Sequence, residues 1–146
     1  MLFGGPLINK KELVNLLKKH EGIRLKPYKD SVGKVTLGIG RNIESMGITA
    51  EEAEFLLQND IQRCYDEAVV NFKWFDELDE TRQDVILSMI FNLGLPSFLG
   101  FKKMIQAIEN KDFESASKEM LDSKWSSQVG KRAYELSEMM KAGVYL

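Results

Sequence analysis

The chain has 146 residues, 44% of them apolar and 29% charged, which is the size of one domain with one substantial core and too small for a large multidomain machine. A single cysteine, Cys64, excludes an internal disulfide, and a single histidine, His20, leaves no Ser-His triad and no HExxH or CxxC metal signature. Net charge is only −2, but residues 1–41 carry nine Lys or Arg against three acids and residues 42–87 carry three against twelve. Such asymmetry suits steering of an anionic polymer toward the first part, and equally a solvated surface with no partner.

The opening MLFGGPLI is broken by Gly4, Gly5 and Pro6. It is too short to span a bilayer and lacks the basic start and cleavage region of a signal peptide, so cytoplasmic synthesis without classical export and no stable membrane insertion are expected. KKELVNLLKKHEG then places Leu13, Leu16, Leu17 and His20 at helical spacing, with Gly22 as a stop, and a folded core is the expected partner of that face. In IRLKPYKDSVGKVTLGIGRN the period changes. Val35, Leu37 and Ile39 alternate with Thr36, Gly38 and Gly40 behind the turn residues Asp30, Ser31 and Gly33, which predicts a β-hairpin extended by another short strand.

Thr49 and Glu52 have the spacing of a capping box, opening a helix whose apolar face runs from Ala53 through Cys64 to Phe72. Cys64 within that pattern reads as a buried small apolar residue. ETRQDVILSMIFNLG is helical, with Gly94 as C-cap and Pro96 against continuation. FKKMIQAIEN, FESASKEMLDSKW opened by Asp112, and a stretch near 131–141 follow. The fold class expected is α+β and mostly helical: a small β lobe at about 22–48, a connecting helix at about 50–72, and a helical lobe at about 73–146 joined by the N-terminal helix.

Glu21, Asp30 and Thr36 fall within one short span. At a helix C-terminus the macrodipole disfavours a negative Glu21, keeping a protonated carboxyl available, whereas Asp30 sits in a hydrophilic turn that favours the carboxylate. An acid that protonates a leaving oxygen, beside a carboxylate that activates water, is the requirement of glycoside cleavage. By spacing alone Glu21 and Asp30 read as two solvated surface acids, and composition does not identify a site. Gly38 and Gly40 either relieve strand twist or leave room for a bulky sugar beside the backbone.

The array E-G-x-R-L-x-x-Y-x-D followed by G-x-x-T-x-G-x-G is met by Glu21, Gly22, Arg24, Leu25, Tyr28, Asp30, Gly33, Thr36, Gly38 and Gly40. It closely resembles the active-site lobe of the phage-type lysozymes, a glycoside hydrolase family, and the resemblance continues through GITAEEAEFLLQND, SMIFNLG and FLGF to SKWSSQVGKRA. It implies a two-lobed lysozyme-like fold and an N-acetylmuramidase that needs no metal or organic cofactor. By this resemblance Glu21 is the general acid, Asp30 the base or electrostatic partner and Thr36 the residue that positions the hydrolytic water, in an inverting site with carboxyls about 6.5–9.5 Å apart. Arg132 matches the family arginine that pairs with the catalytic glutamate. Phe91 matches a substrate-contacting phenylalanine, although periodicity alone makes it core. Asn92 keeps an amide where the family type has glutamine. Trp125 also matches, and reads as lobe core.

Departures from the family type are Arg41 for a histidine, with Asp60 as its expected ion-pair partner, and Asn42, Met104 and Glu119 at substrate-contact positions. The segment between Gly40 and Thr49 is also shorter, which implies a more open cleft. The resemblance implies bacterial peptidoglycan as partner, monomeric action, host-cell lysis, and residence in the host cytoplasm until a separate holin admits the enzyme to the cell wall. A lytic transglycosylase, which works with a lone Glu, and a catalytically weak peptidoglycan-binding protein are the alternatives. Nucleic-acid binding is disfavoured, since no basic helix or nucleic-acid motif is present and the middle of the chain is acidic.

Overall fold

The computed structural model describes residues 8–146, so all but the last residue of the apolar opening segment lies outside the described residues. The chain forms two compact units, residues 1–57 and 58–146, and the boundary falls inside a long helix.

In the first unit, α1 (Lys11–Glu21) ends where Gly22, at φ 72°, donates its N–H to the Lys18 carbonyl. Three antiparallel strands follow in the order β1 (Arg24–Lys29), β2 (Val35–Gly38), β3 (Arg41–Asn42). Arg24 pairs with Gly38 and Tyr28 with Thr36, so three residues of β1 face only Leu37. Pro27 lies within this bulge and brings no N–H to the ladder, which accounts for the irregular register. The one-turn helix α2 (Ile43–Met46) was not expected. Asn42 caps it by accepting from the Ser45 N–H.

The apolar face expected on α1 is present, at Leu13, Leu16 and Leu17. None of its residues is buried, and Leu13, Val14, Leu16 and Leu17 each remain 44–46% exposed.

The capping box forms as expected at the start of α3 (Ala50–Asn71). The Thr49 N–H donates to Glu52 Oε1 at 2.8 Å and the Glu52 N–H to Thr49 Oγ1 at 3.1 Å. In the second unit Cys64 and Ala68 of α3 enter the core with Phe72 and Phe75, and burial pushes the Cys64 thiol pKa up. A 3-10 turn at Phe75–Glu77 leads to α4 (Glu80–Leu93), capped by the Asp79 carboxylate on the Arg82 N–H. Val85, Ile86, Met89 and Ile90, one helical stripe, are its buried face.

Gly94 ends α4, and Pro96 then sits in the first turn of the short α5 (Leu95–Leu99), where its missing N–H is harmless. Next come α6 (Lys102–Glu109), α7 (Phe113–Leu121), α8 (Lys124–Val129) and α9 (Lys131–Ala142). The single helix expected from Phe113 to Trp125 is broken at Asp122 and Ser123. The Ser123 hydroxyl donates to the Met120 carbonyl and accepts from the Ser126 N–H, ending α7 and starting α8 with one side chain. The α+β, mostly helical class is as expected. No helix of the described residues is long and apolar enough to cross a membrane.

Candidate active site

Asp30 opens the β1–β2 turn and holds it. Its Oδ1 accepts from the Val32 N–H at 3.0 Å and the Lys34 N–H at 2.9 Å, and its own N–H donates to the Lys34 carbonyl at 2.9 Å. Gly33 takes φ 82° in this turn, a conformation costly for an L side chain. One carboxylate oxygen is thus committed to the turn, leaving Oδ2 for other work.

Thr36 stands on β2 between Tyr28 of β1 and Asn42 of β3, its Cα partners, and is 3% exposed. Its hydroxyl donates to the Lys34 carbonyl at 2.9 Å, the same oxygen that Asp30 uses. The structure therefore ties Asp30 and Thr36 together through one peptide group. The Thr36 lone pairs remain free to accept. Tyr28 carries the Arg24 guanidinium 4.4 Å above its ring, which stiffens β1 behind this pair.

Glu21, the last residue of α1, lies against the β2–β3 turn. A methyl group built on Gly40 would stand 2.6 Å from Glu21 Oε2, whereas one on Gly38 would meet nothing within 4 Å. The space left by Gly40 is therefore filled by Glu21, not kept for a sugar, which corrects that reading at this glycine; Gly38 remains open. Asn42 uses its side-chain oxygen in the α2 cap, and its side-chain amide N–H groups make no hydrogen bond among the described residues.

The expected Arg41–Asp60 pair is not formed. Arg41 donates to Glu52 Oε1 at 2.7 Å and to the Gly47 carbonyl, while Asp60 accepts from Arg63 at 2.8 Å. Asp60 lies three residues from Arg63 on α3, so a helical neighbour claims it. The Thr49 N–H and then the Arg41 guanidinium hold the Glu52 carboxyl below its ordinary value of 4.5.

In the second unit, Phe91 is 50% exposed, so the core reading that periodicity gives it is wrong. Trp125 is core, 4% exposed, and its indole N–H donates to Asn92 Oδ1 at 2.9 Å. Asn92 thus holds Trp125 in place and keeps its NH2 for a ligand. Met104 and Glu119 line one cavity of about 600 Å3 with Phe101, Trp125 and Lys103. Met104 is 1% exposed and forms floor, which corrects any picture of a side chain reaching out to substrate. Arg132 is exposed in the first turn of α9, where a positive charge opposes the helix dipole, so helix stability does not explain it.

Sequence reasoning missed Glu44, whose carboxylate meets the Lys34 ammonium and the Val35 N–H, each at 3.3 Å. Its signal was present as Asn42 three residues before Ser45 with Gly47 as a stop, a one-turn helix that presents Glu44. Among the described residues no group of three or more His, Cys, Asp or Glu side chains is placed to hold a metal ion.

The phage lysozyme family profile matches residues 18–142. The chain is 36% identical over 123 residues to an endolysin of Acyrthosiphon pisum secondary endosymbiont phage 1, covering 82% of this chain and 80% of that protein. It is 31% identical over 112 residues to the endolysin of Salmonella phage P22, covering 71% and 75%. It is 28% identical over 158 residues to a probable T4-type lysozyme of Dictyostelium discoideum, covering 88% and 93%. The chain belongs to the phage lysozyme family and is a lysozyme-type peptidoglycan hydrolase.

Proposed function

We propose that this chain is a muramidase that hydrolyses the β-1,4 bond between N-acetylmuramic acid and N-acetylglucosamine by inversion and serves host-cell lysis as an endolysin. The observation that carries the proposal is the shared Lys34 carbonyl, which keeps Asp30 and Thr36 in one fixed relation with an Asp30 oxygen and the Thr36 lone pairs unspent. Because the Thr36 hydroxyl already donates, it acts on water as an acceptor. A water between the two donates one hydrogen to Thr36 Oγ1 and the other to Asp30 Oδ2.

As the glycosidic C–O bond breaks, Glu21 gives its proton to the departing oxygen. Asp30 takes a proton from the water whose oxygen bonds to the anomeric carbon on the opposite face. By the family resemblance Arg132 is assigned the supporting positive charge for the Glu21 carboxylate left after proton donation. Phe91 offers an apolar face to a sugar ring, Asn92, Asn42 and Glu119 offer polar contacts, and Met104 serves as floor of the cavity that Glu119 lines. The protein acts as a monomer, without cofactor, and reaches the wall from the host cytoplasm through a separate holin.

Digestion of purified peptidoglycan, with mass analysis of the products and proton NMR of the first anomer formed, tests the proposal. Reducing muramic ends with the α-anomer first are expected. 1,6-Anhydro ends mean transglycosylation, an initial β-anomer means retention, and wall binding without release of products means a binding protein; each overturns the mechanism above.

A further inference from the structure

The Lys34–Val35 peptide group is held on both edges. Its carbonyl accepts from the Asp30 N–H and the Thr36 hydroxyl, both at 2.9 Å. Its N–H donates to Glu44 Oε1 at 3.3 Å, and Glu44 Oε2 meets the Lys34 ammonium, also at 3.3 Å. A trans peptide is a rigid plane with N–H and C=O pointing in opposite directions, so whatever fixes the N–H fixes the aim of the carbonyl.

The local architecture explains why a side chain has this task. Pairing of β2 with β3 runs from Leu37 to Thr36 and stops at Asn42, one residue short of Val35. Beyond that point the chain turns into α2, whose first turn is closed by Asn42 on the Ser45 N–H and whose end is closed by the Gly47 N–H on the Ile43 carbonyl. The Glu44 carboxylate supplies the Val35 N–H with an acceptor beyond the last strand pair. The Lys34–Glu44 side chains are 47% and 45% exposed, and such a surface pair contributes little to stability. Its consequence lies in orientation. A chain of hydrogen bonds polarises along its length, so an N–H engaged by a carboxylate makes the carbonyl at the other edge a better acceptor for Thr36.

We propose that Glu44 is a positioning residue for hydrolysis: by holding the N–H of the Lys34–Val35 peptide it aims the carbonyl that Asp30 and Thr36 share, and so sets the direction in which the Thr36 lone pairs receive water. This rests on Asp30 and Thr36 being the water-handling pair proposed above. Glu44 touches no reacting atom. It acts through one peptide plane.

The test compares wild type, Glu44→Gln and Glu44→Ala on soluble glycan fragments of peptidoglycan, with amide hydrogen exchange at Val35 measured on the same proteins. Glu44→Ala is expected to lower kcat about tenfold, equivalent to about 1.4 kcal/mol of barrier, with KM within about twofold. Glu44→Gln keeps an acceptor oxygen and is expected to retain most of kcat and the protection of Val35, whereas Glu44→Ala loses that protection. An unchanged kcat in Glu44→Ala, an equal loss in Glu44→Gln, or a loss confined to KM overturns the proposal. If Glu44→Ala does not fold, Glu44→Asp, too short to reach the Val35 N–H, replaces it with the same expected split. A wild-type protein that releases no reducing ends overturns the muramidase reading instead. Val35 exchange is read without turnover, so unchanged protection in the variant overturns the Glu44 clasp alone.

Discussion

The Glu21 carboxyl occupies the place that a side chain at Gly40 would need: a methyl group there would stand 2.6 Å from Oε2 and 2.8 Å from the carboxyl carbon. Gly40 also takes φ 72°, which costs an L residue about 1–2 kcal/mol. Gly38 has nearly the same backbone, φ 74°, with nothing near it. Gly40→Ala and Gly38→Ala should therefore lose similar stability, while only Gly40→Ala displaces Glu21 and loses activity, by about a hundredfold if the carboxyl moves on the order of 1 Å. Thermal melting and wall-lysis rates on both variants check this. Equal activity in the two would refute it.

Glu21→Gln removes the transferable proton and keeps the shape. Turnover should fall by at least about a hundredfold, the lower end of what a positioned acid contributes, with an unchanged melting midpoint. A folded variant with near-normal turnover would remove Glu21 from the chemistry.

Asp30 has two separable duties, and two substitutions tell them apart. Asp30→Asn still offers an oxygen to the Val32 and Lys34 amides, so it should fold like wild type and lose turnover. Asp30→Ala also leaves those amides without their acceptor in an exposed turn, and should melt lower by about 1 kcal/mol of stability on top of the same activity loss. Denaturant titration with parallel assays measures both. Destabilisation by Asp30→Asn as large as by Asp30→Ala would show that charge, not the turn bonds, holds the hairpin.

Arg82 closes the C-terminus of α9. Its Nε donates to the Met140 carbonyl at 2.6 Å and an Nη to the Lys141 carbonyl at 2.9 Å, while another Nη bonds Asp79 and the guanidinium lies 3.6 Å above the Phe113 ring. Arg82→Ala should cost about 2 kcal/mol, since carbonyls bonded to a charged donor lose it. Arg82→Lys, with a single ammonium, should recover only part. Chemical denaturation gives the values, and a loss within about 0.5 kcal/mol for Arg82→Ala would place these bonds among neutral surface contacts.

Glu52 gives the first unit an acid-sensitive joint. Its folded pKa is depressed by the Thr49 N–H and by Arg41, so the stability it contributes is present above its ordinary 4.5 and is lost as pH falls through the lower folded value. Glu52→Gln keeps a cap oxygen and lacks the charge. The melting midpoint of wild type should exceed that of Glu52→Gln at neutral pH, and the gap should close below 4.5. A gap independent of pH would mean that the Arg41 pair adds nothing.

Short-range chemistry was legible in the sequence alone. The Thr49–Glu52 box, the Asp30–Gly33 turn and the Asp112 cap each close within a few residues, so their partners are dictated by spacing along the chain. The change of period at Val35 marked the sheet, and the stripe of α4 marked a core helix, for the same reason. The break at Ser123 and the one-turn α2 were missed because each rests on one side chain's hydrogen bonds, a signal weaker than the surrounding helical period.

Only the tertiary structure decided the pairings that cross the chain. Arg41 had acidic candidates at many separations, and the approach of β3 to the start of α3 selected Glu52. The same holds for Asn92 under the Trp125 indole, for Arg82 on the last carbonyls of α9, and for Phe91, whose periodicity matched a core that does not cover it. Gly40 shows the principle most directly. A missing side chain records that something must come close, and the folded chain alone names that neighbour as the Glu21 carboxyl.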